Sequence, residues 1–145
     1  MIQRIQTVYL LLAAIAGGAT WFFDLWRAKL VNNTYDYFSG QSSYLYFVLM
    51  MVVVALALVC IFLFKKRPLQ FRLTVLNVFL SIGVVALQYI KIKVEAQRLQ
   101  DAHLLSSSTY LPAAFLPVLI VVLLFLAARG IYKDERLVKS LDRLR

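Results

Sequence analysis

The sequence predicts an all-α integral membrane protein, a four-helix bundle with a short amphipathic cytoplasmic C-terminal helix. Hydrophobic residues make up 62% of the 145 residues. The mean hydropathy of +0.77 is too high for a soluble domain of this size, which could not bury so much apolar surface. The apolar residues form four long segments, and charged residues gather between them and at both ends. We therefore treat residues 1–145 as a single membrane domain, with a tail at 130–145.

The four predicted spans are residues 5–26, 44–64, 71–90 and 112–128. Each is close to the length needed, because a helix of about 20 apolar residues crosses the hydrocarbon core. The third should continue outward as a helix to about residue 105, since residues 91–105 contain no Gly or Pro. Its break is expected in the Ser and Thr run at 106–109. The first span also resembles a signal peptide, but its apolar residues continue through Phe23 and favour an uncleaved helix.

The distribution of Lys and Arg predicts that both termini are cytoplasmic. The N-terminal end, the loop between the second and third spans, and the tail together hold eleven of the sixteen basic residues. Loops rich in Lys and Arg remain in the cytoplasm. The net charge of +9 is therefore interpreted as a topology signal. We expect this face to attract anionic lipid headgroups, and we expect no nucleic-acid partner.

Two predicted spans carry small or polar residues along one face. In the third span these are Thr74, Asn77, Ser81, Gln88 and Lys91, and in the first they are Gln6, Ala13, Gly17, Thr20 and Asp24. Small residues let membrane helices approach closely, and polar side chains form hydrogen bonds between them. We therefore expect spans one and three to pack through these stripes, with Asp24 near Lys91 or Lys93. The alternative interpretation is that the stripes line a conduit for a small polar solute.

Residues suited to catalysis are scarce. Cys60 is the only cysteine and His103 the only histidine. No span contains a Ser-His pair, two acids or an HExxH motif, and Gly-rich phosphate loops are absent. We therefore expect no enzymatic activity, no metal site and no cofactor.

The tail is predicted to change direction at Gly130 and to form an amphipathic helix from Ile131 onward. A helix of about fifteen residues is only marginally stable alone, so its leucine face should be covered by the inner loop, the membrane surface or a partner. The candidate contact residues are Lys65, Lys66 and Arg67 in the inner loop and Lys133, Arg136, Leu137, Leu141, Arg143 and Leu144 in the tail.

Both ends of the chain resemble a known family. The stretches MIQRIQTVYLLLAA and RGIYKDERLVKSLDRLR are similar to the terminal signatures of a domain-of-unknown-function family of small four-span inner-membrane proteins of Bacteroidota. The resemblance implies four helices in the inner membrane of a Gram-negative bacterium. It implies no activity and no catalytic residues.

The function favoured by these observations is a non-enzymatic accessory or scaffold subunit of a larger inner-membrane assembly, with the tail as its contact helix. The alternatives are an oligomeric small-solute conduit or transporter, and a protein that interacts with anionic lipid.

Overall fold

The chain folds into long helices closed at one end by a small β-sheet. The structure is a computed structural model that describes residues 2–142, with side chains described for residues 5–138 and Ser140. Within this range the helices are α1 (Ile2–Phe22), α2 (Tyr44–Phe62), α3 (Arg67–Asp101) and α4 (Leu116–Asp142). Short 3-10 turns, Leu63–Lys65 and Pro112–Phe115, precede α3 and α4. All four helices are long and apolar enough to cross a membrane, as the sequence predicts.

Each helix packs against two neighbours around a shared interior. α1 packs on α2 and α4, and α3 packs on the same two helices. Helices α1 and α3 therefore lie diagonally opposite each other, and the prediction that they are direct neighbours is wrong. The short connection between α2 and α3 makes those helices adjacent, and closure of the bundle brings α4 beside α1. The two polar stripes face a common interior from opposite corners.

A three-stranded antiparallel sheet corrects the all-α prediction. Strands β1 (Asp24–Leu30), β2 (Tyr35–Ser39) and β3 (Leu105–Tyr110) pair in the order β2-β1-β3. Arg27 of β1 lies opposite Tyr37 on one side and Thr109 on the other. Because β3 is distant from β1 in sequence, local hydropathy does not reveal the pairing. We call this end of the bundle the sheet end.

Helix α3 ends at Asp101, before the predicted limit near residue 105. His103 has a left-handed φ of 54°. Its backbone N–H donates to the Gln100 carbonyl at 2.9 Å, and that of Leu104 donates to the Leu99 carbonyl at 3.0 Å. These two bonds form a Schellman motif, in which glycine usually holds the left-handed position. The Ser and Thr run at 106–109, predicted to be a break, lies within β3.

Helix α4 continues from Leu116 to Asp142 with no break at Gly130. The predicted separate tail helix is therefore wrong over the described residues, because the tail is the end of α4. A Cβ atom at Gly130 would lie 2.9 Å from Cγ of Gln6 in α1. Gly130 thus makes room for the neighbouring helix instead of ending its own.

Candidate functional site

Helix α3 presents a row of buried polar side chains to the bundle interior. The Thr74 hydroxyl donates to the Gln70 carbonyl at 2.8 Å, and the Ser81 hydroxyl to the Val78 carbonyl at 2.8 Å. These bonds stay within the helix and satisfy the hydroxyl donors without water. Four predicted members of the row, Thr74, Asn77, Ser81 and Gln88, are buried, whereas the fifth, Lys91, is half-buried.

Two amides of this row connect α3 to its neighbours. Nδ2 of Asn77 donates to the Val53 carbonyl of α2 at 3.0 Å. Nε2 of Gln88 donates at 3.0 Å to the carbonyl of Ala114, in the turn before α4. Such bonds between helices are favourable where water cannot compete for the donors. The row therefore fixes the position of α3 against both helices that it contacts.

Gln70 belongs to the same row but was not predicted as a member. It is 5% exposed, and its Nε2 atom donates to the Cys60 carbonyl at 2.9 Å. Its spacing indicates membership of the row, since Gln70 lies one helical turn before Thr74. It was missed because the predicted span begins at residue 71.

Two buried amide oxygens, Oδ1 of Asn77 and Oε1 of Gln88, have no hydrogen-bond partner among the described residues. A buried acceptor without a partner costs about 1–3 kcal/mol. The bundle interior therefore contains hydrogen-bond acceptors that no described residue satisfies.

The stripe of α1 is also turned inward. Nε2 of Gln6 donates to Oδ2 of Asp134 in α4 at 2.7 Å, and both side chains are buried. Ala13 and Gly17 are buried as well, and the Thr20 hydroxyl donates to the Gly17 carbonyl at 2.6 Å. The sequence does not predict Asp134 in this contact, because Asp134 lies among the charged residues of the predicted tail.

The predicted pairing of Asp24 with Lys91 or Lys93 is absent from the described ion pairs. Asp24 is exposed at the start of β1, beside the turn that precedes α4. Lys91 lines a different cleft, together with Asp36. The prediction is wrong because α1 ends at Phe22, so that β1 carries Asp24 away from the stripe.

The described candidate contact residues lie at the end of the bundle opposite the sheet. In the turn between α2 and α3, Lys65 and Lys66 are exposed and Arg67 is half-buried. On α4 the exposed members are Lys133, Arg136 and Leu137. The Leu141 side chain and residues Arg143 and Leu144 lie outside the description. We call this end of the bundle the basic end.

The residues most often used in metal binding are dispersed. Among the described residues, no three His, Cys, Asp or Glu side chains form a group that could hold a metal ion. Cys60 is buried in α2, and His103 occupies the C-terminal cap of α3.

Comparison with known proteins gives one match. The model of a family described as "Domain of unknown function (DUF4293)" matches residues 2–144. No curated protein matches the chain, and no solved structure matches it. The family match includes both ends of the chain, so the resemblance of the termini to an uncharacterised family is confirmed. The chain therefore belongs to the DUF4293 family of domains of unknown function.

Proposed function

We propose that this chain is a four-span bacterial inner-membrane protein that acts as a non-enzymatic structural subunit of a larger assembly. The placement of side chains supports a membrane setting. Polar residues are buried in the bundle, whereas large apolar side chains such as Ile15, Phe79 and Phe125 are more than half exposed. A soluble bundle has the opposite arrangement, with its apolar stripe buried. In a bilayer these exposed side chains contact lipid.

The interior supports a structural role better than a conduit. Val53, Val84 and Leu124 are almost fully buried between the same helices that carry the polar row. The amides of α3 are directed at backbone carbonyls of neighbouring helices. A conduit would need this row to face a path between subunits, whereas here it faces the interior of one bundle.

The observation that carries the proposal is the apolar face of α4 at the basic end. Ile131 and Asp134 are buried, but the next residues on that face, Leu137 and Val138, are 47% and 40% exposed. Helices α1 and α4 run antiparallel, and the contact between Gln6 and Asp134 sets their register. Leu137 and Val138 therefore lie at the end of the described contact between α1 and α4. A partner protein covers this continuation of the face.

Cytoplasmic placement of this end rests on charge. Basic residues of the turn before α3 and of α4 lie together there, including Lys65, Lys66, Lys133 and Arg136. This asymmetry favours a cytoplasmic location for the basic end. The contact surface would then face cytoplasmic or juxtamembrane parts of a partner, with the basic residues close to anionic headgroups.

Site-specific photocrosslinking in intact membranes tests the partner contact. A photoreactive side chain at Leu137 should cross-link to a distinct protein, whereas one at Val118, which is exposed on the same helix near the sheet end, should react with lipid. Because position 137 is itself changed in the next variant, a second photoreactive side chain is placed at Val138. Changing Leu137, Leu141 and Leu144 together to Ser should lower the protein cross-link from position 138 by more than about tenfold, because several apolar contacts are lost. Val118→Ser is the matched control.

Membrane retention separates loss of contact from loss of folding. The triple Ser variant should remain in the membrane fraction, since the predicted span at residues 112–128 is unchanged. Lipid adducts alone at position 137, or an unchanged protein cross-link in the triple variant, would contradict the proposal.

A further inference from the structure

An open cleft of about 580 Å³ lies at the sheet end, between β2, the start of α2 and the outer turns of α3. Its volume falls in the range of small-molecule sites, about 300–1,000 Å³. Charged, hydroxyl and aromatic side chains line it together. Those on which the argument rests are Asp36, Tyr37, Ser43, Lys91, Glu95 and Arg98.

One part of the cleft favours an anion. Lys91 is half-buried and forms no ion pair with the described side chains. Ser43, the N-cap residue of α2, is 8% exposed, and its hydroxyl does not bond to the amides of the first turn. Free amides at a helix N-terminus attract negative charge. Lys91 and the start of α2 therefore provide positive potential on the same cleft.

Another part favours a cation. Oε1 of Glu95 lies 3.4 Å from Nη1 of Arg98, but Arg98 is 77% exposed, so this pair is weak. Asp36 accepts the backbone N–H of Tyr37 at 2.9 Å, which leaves its second oxygen for another donor. Tyr37 and Tyr44 are also lining residues of the cleft, and aromatic faces attract ammonium groups.

We propose that this cleft binds a zwitterion that carries a phosphate and an ammonium on a short linker, the chemistry of an ethanolamine phospholipid headgroup. The two acids and two bases of the lining balance, so a simple anion or cation would meet like charge as well as opposite charge. The margin also suits a lipid, because Tyr44 and Val94 are 83% and 59% exposed and would contact its acyl chains. Free phosphoethanolamine shares the headgroup chemistry and is distinguished by the experiment.

Native mass spectrometry of the full-length protein in mild detergent tests the site. The protein is mixed with phosphatidylethanolamine or phosphatidylglycerol of identical acyl chains, and the fraction with bound lipid is measured. Lys91→Gln tests the phosphate contact. Lys93→Gln is the matched control, because Lys93 is exposed and stands over the Tyr89 ring at 5.1 Å, outside the cleft lining. Asp36→Asn combined with Glu95→Gln tests the ammonium contact.

The wild-type protein should retain phosphatidylethanolamine about tenfold better than phosphatidylglycerol. Lys91→Gln should lower that retention by a similar factor, and Lys93→Gln should not. The double acid variant should lose the preference for phosphatidylethanolamine or reverse it, because Lys91 and Arg98 remain without the two carboxylates. If Lys91→Gln does not fold, an unchanged preference in the double acid variant would overturn the proposal. Displacement of the lipid by free phosphoethanolamine would show that a soluble zwitterion can occupy the site.

Equal retention of the two lipids by the wild-type protein would overturn the proposal, and so would equal losses in Lys91→Gln and Lys93→Gln. The inference does not depend on a partner of α4. The two sets of variants lie at opposite ends of the bundle, so either proposal can fail without the other.

Discussion

Gly17 and Gly18 are adjacent in α1 but occupy different surroundings. A Cβ atom at Gly17 would clash with Cγ2 of Val54, whereas a Cβ atom at Gly18 would meet nothing within 4 Å. Gly17 therefore sets how closely α1 approaches α2, and Gly18 does not. The small-residue pattern of α1 predicts close packing without saying which glycine is in contact.

Gly17→Ala should therefore destabilise the protein by about 1–3 kcal/mol, because the extra methyl group overpacks the contact with α2. Gly18→Ala should be neutral or stabilising by up to about 1 kcal/mol, because alanine favours helix. Thermal unfolding in detergent measures both. Adding Val54→Ala to Gly17→Ala should recover part of the loss. Equal effects of the two single substitutions would contradict the packing between α1 and α2.

His103 shows the limit of residue-level prediction. A stop signal for α3 would have been a glycine, but the left-handed position is held by a histidine. The residues before it are good helix formers, so the sequence predicts a longer helix. The Schellman hydrogen bonds are seen only in the tertiary structure, where the chain turns from α3 toward β3.

Among the elements, β1 departs most from the sequence prediction. Its residues Leu25, Trp26 and Ala28 are buried at 0%, 1% and 0% exposure, although Leu25 and Trp26 were assigned to the first span. As part of a lipid-facing helix end, Trp26 would contact the bilayer. As part of the sheet it lies in the protein core.

The two tryptophans of the chain distinguish these alternatives. Trp21 is 42% exposed and Trp26 is 1% exposed. In bilayers with brominated acyl chains, Trp26→Phe, which retains Trp21, should show strong fluorescence quenching. Trp21→Phe, which retains Trp26, should show weak quenching, because bromine quenches at short range. Equally strong quenching in both variants would indicate that the first helix continues through Trp26.

At the scale of the whole molecule, the bundle separates its two ends. The sheet with its mixed-charge cleft lies at one end, and the basic turn with the exposed apolar residues Leu137 and Val138 of α4 lies at the other. In our proposal the sheet end is outside the cytoplasm. This topology can be tested with single cysteines, because the native Cys60 is buried.

In a Cys60→Ala background, Ser107→Cys should react with a membrane-impermeant maleimide in cells whose outer membrane has been permeabilised. Ser140→Cys should react only after the inner membrane is disrupted. Both serines are exposed, so accessibility of the side chain does not itself distinguish them. The opposite labelling pattern would reverse the orientation, and equal labelling in intact cells would contradict a location on opposite sides.

The sequence by itself determined the four apolar helices and the inward polar face of α3, because both depend on composition and on a helical repeat within one segment. Thr74, Asn77, Ser81 and Gln88 could be placed on one face before any partner helix was known. Only the tertiary structure decided which helices are neighbours, where β1 and β3 pair, and why α4 passes Gly130 without a break. Those features depend on contacts between residues far apart in the chain, such as Arg27 with Thr109 and Gln6 with Asp134. A sequence pattern within one segment does not predict such contacts.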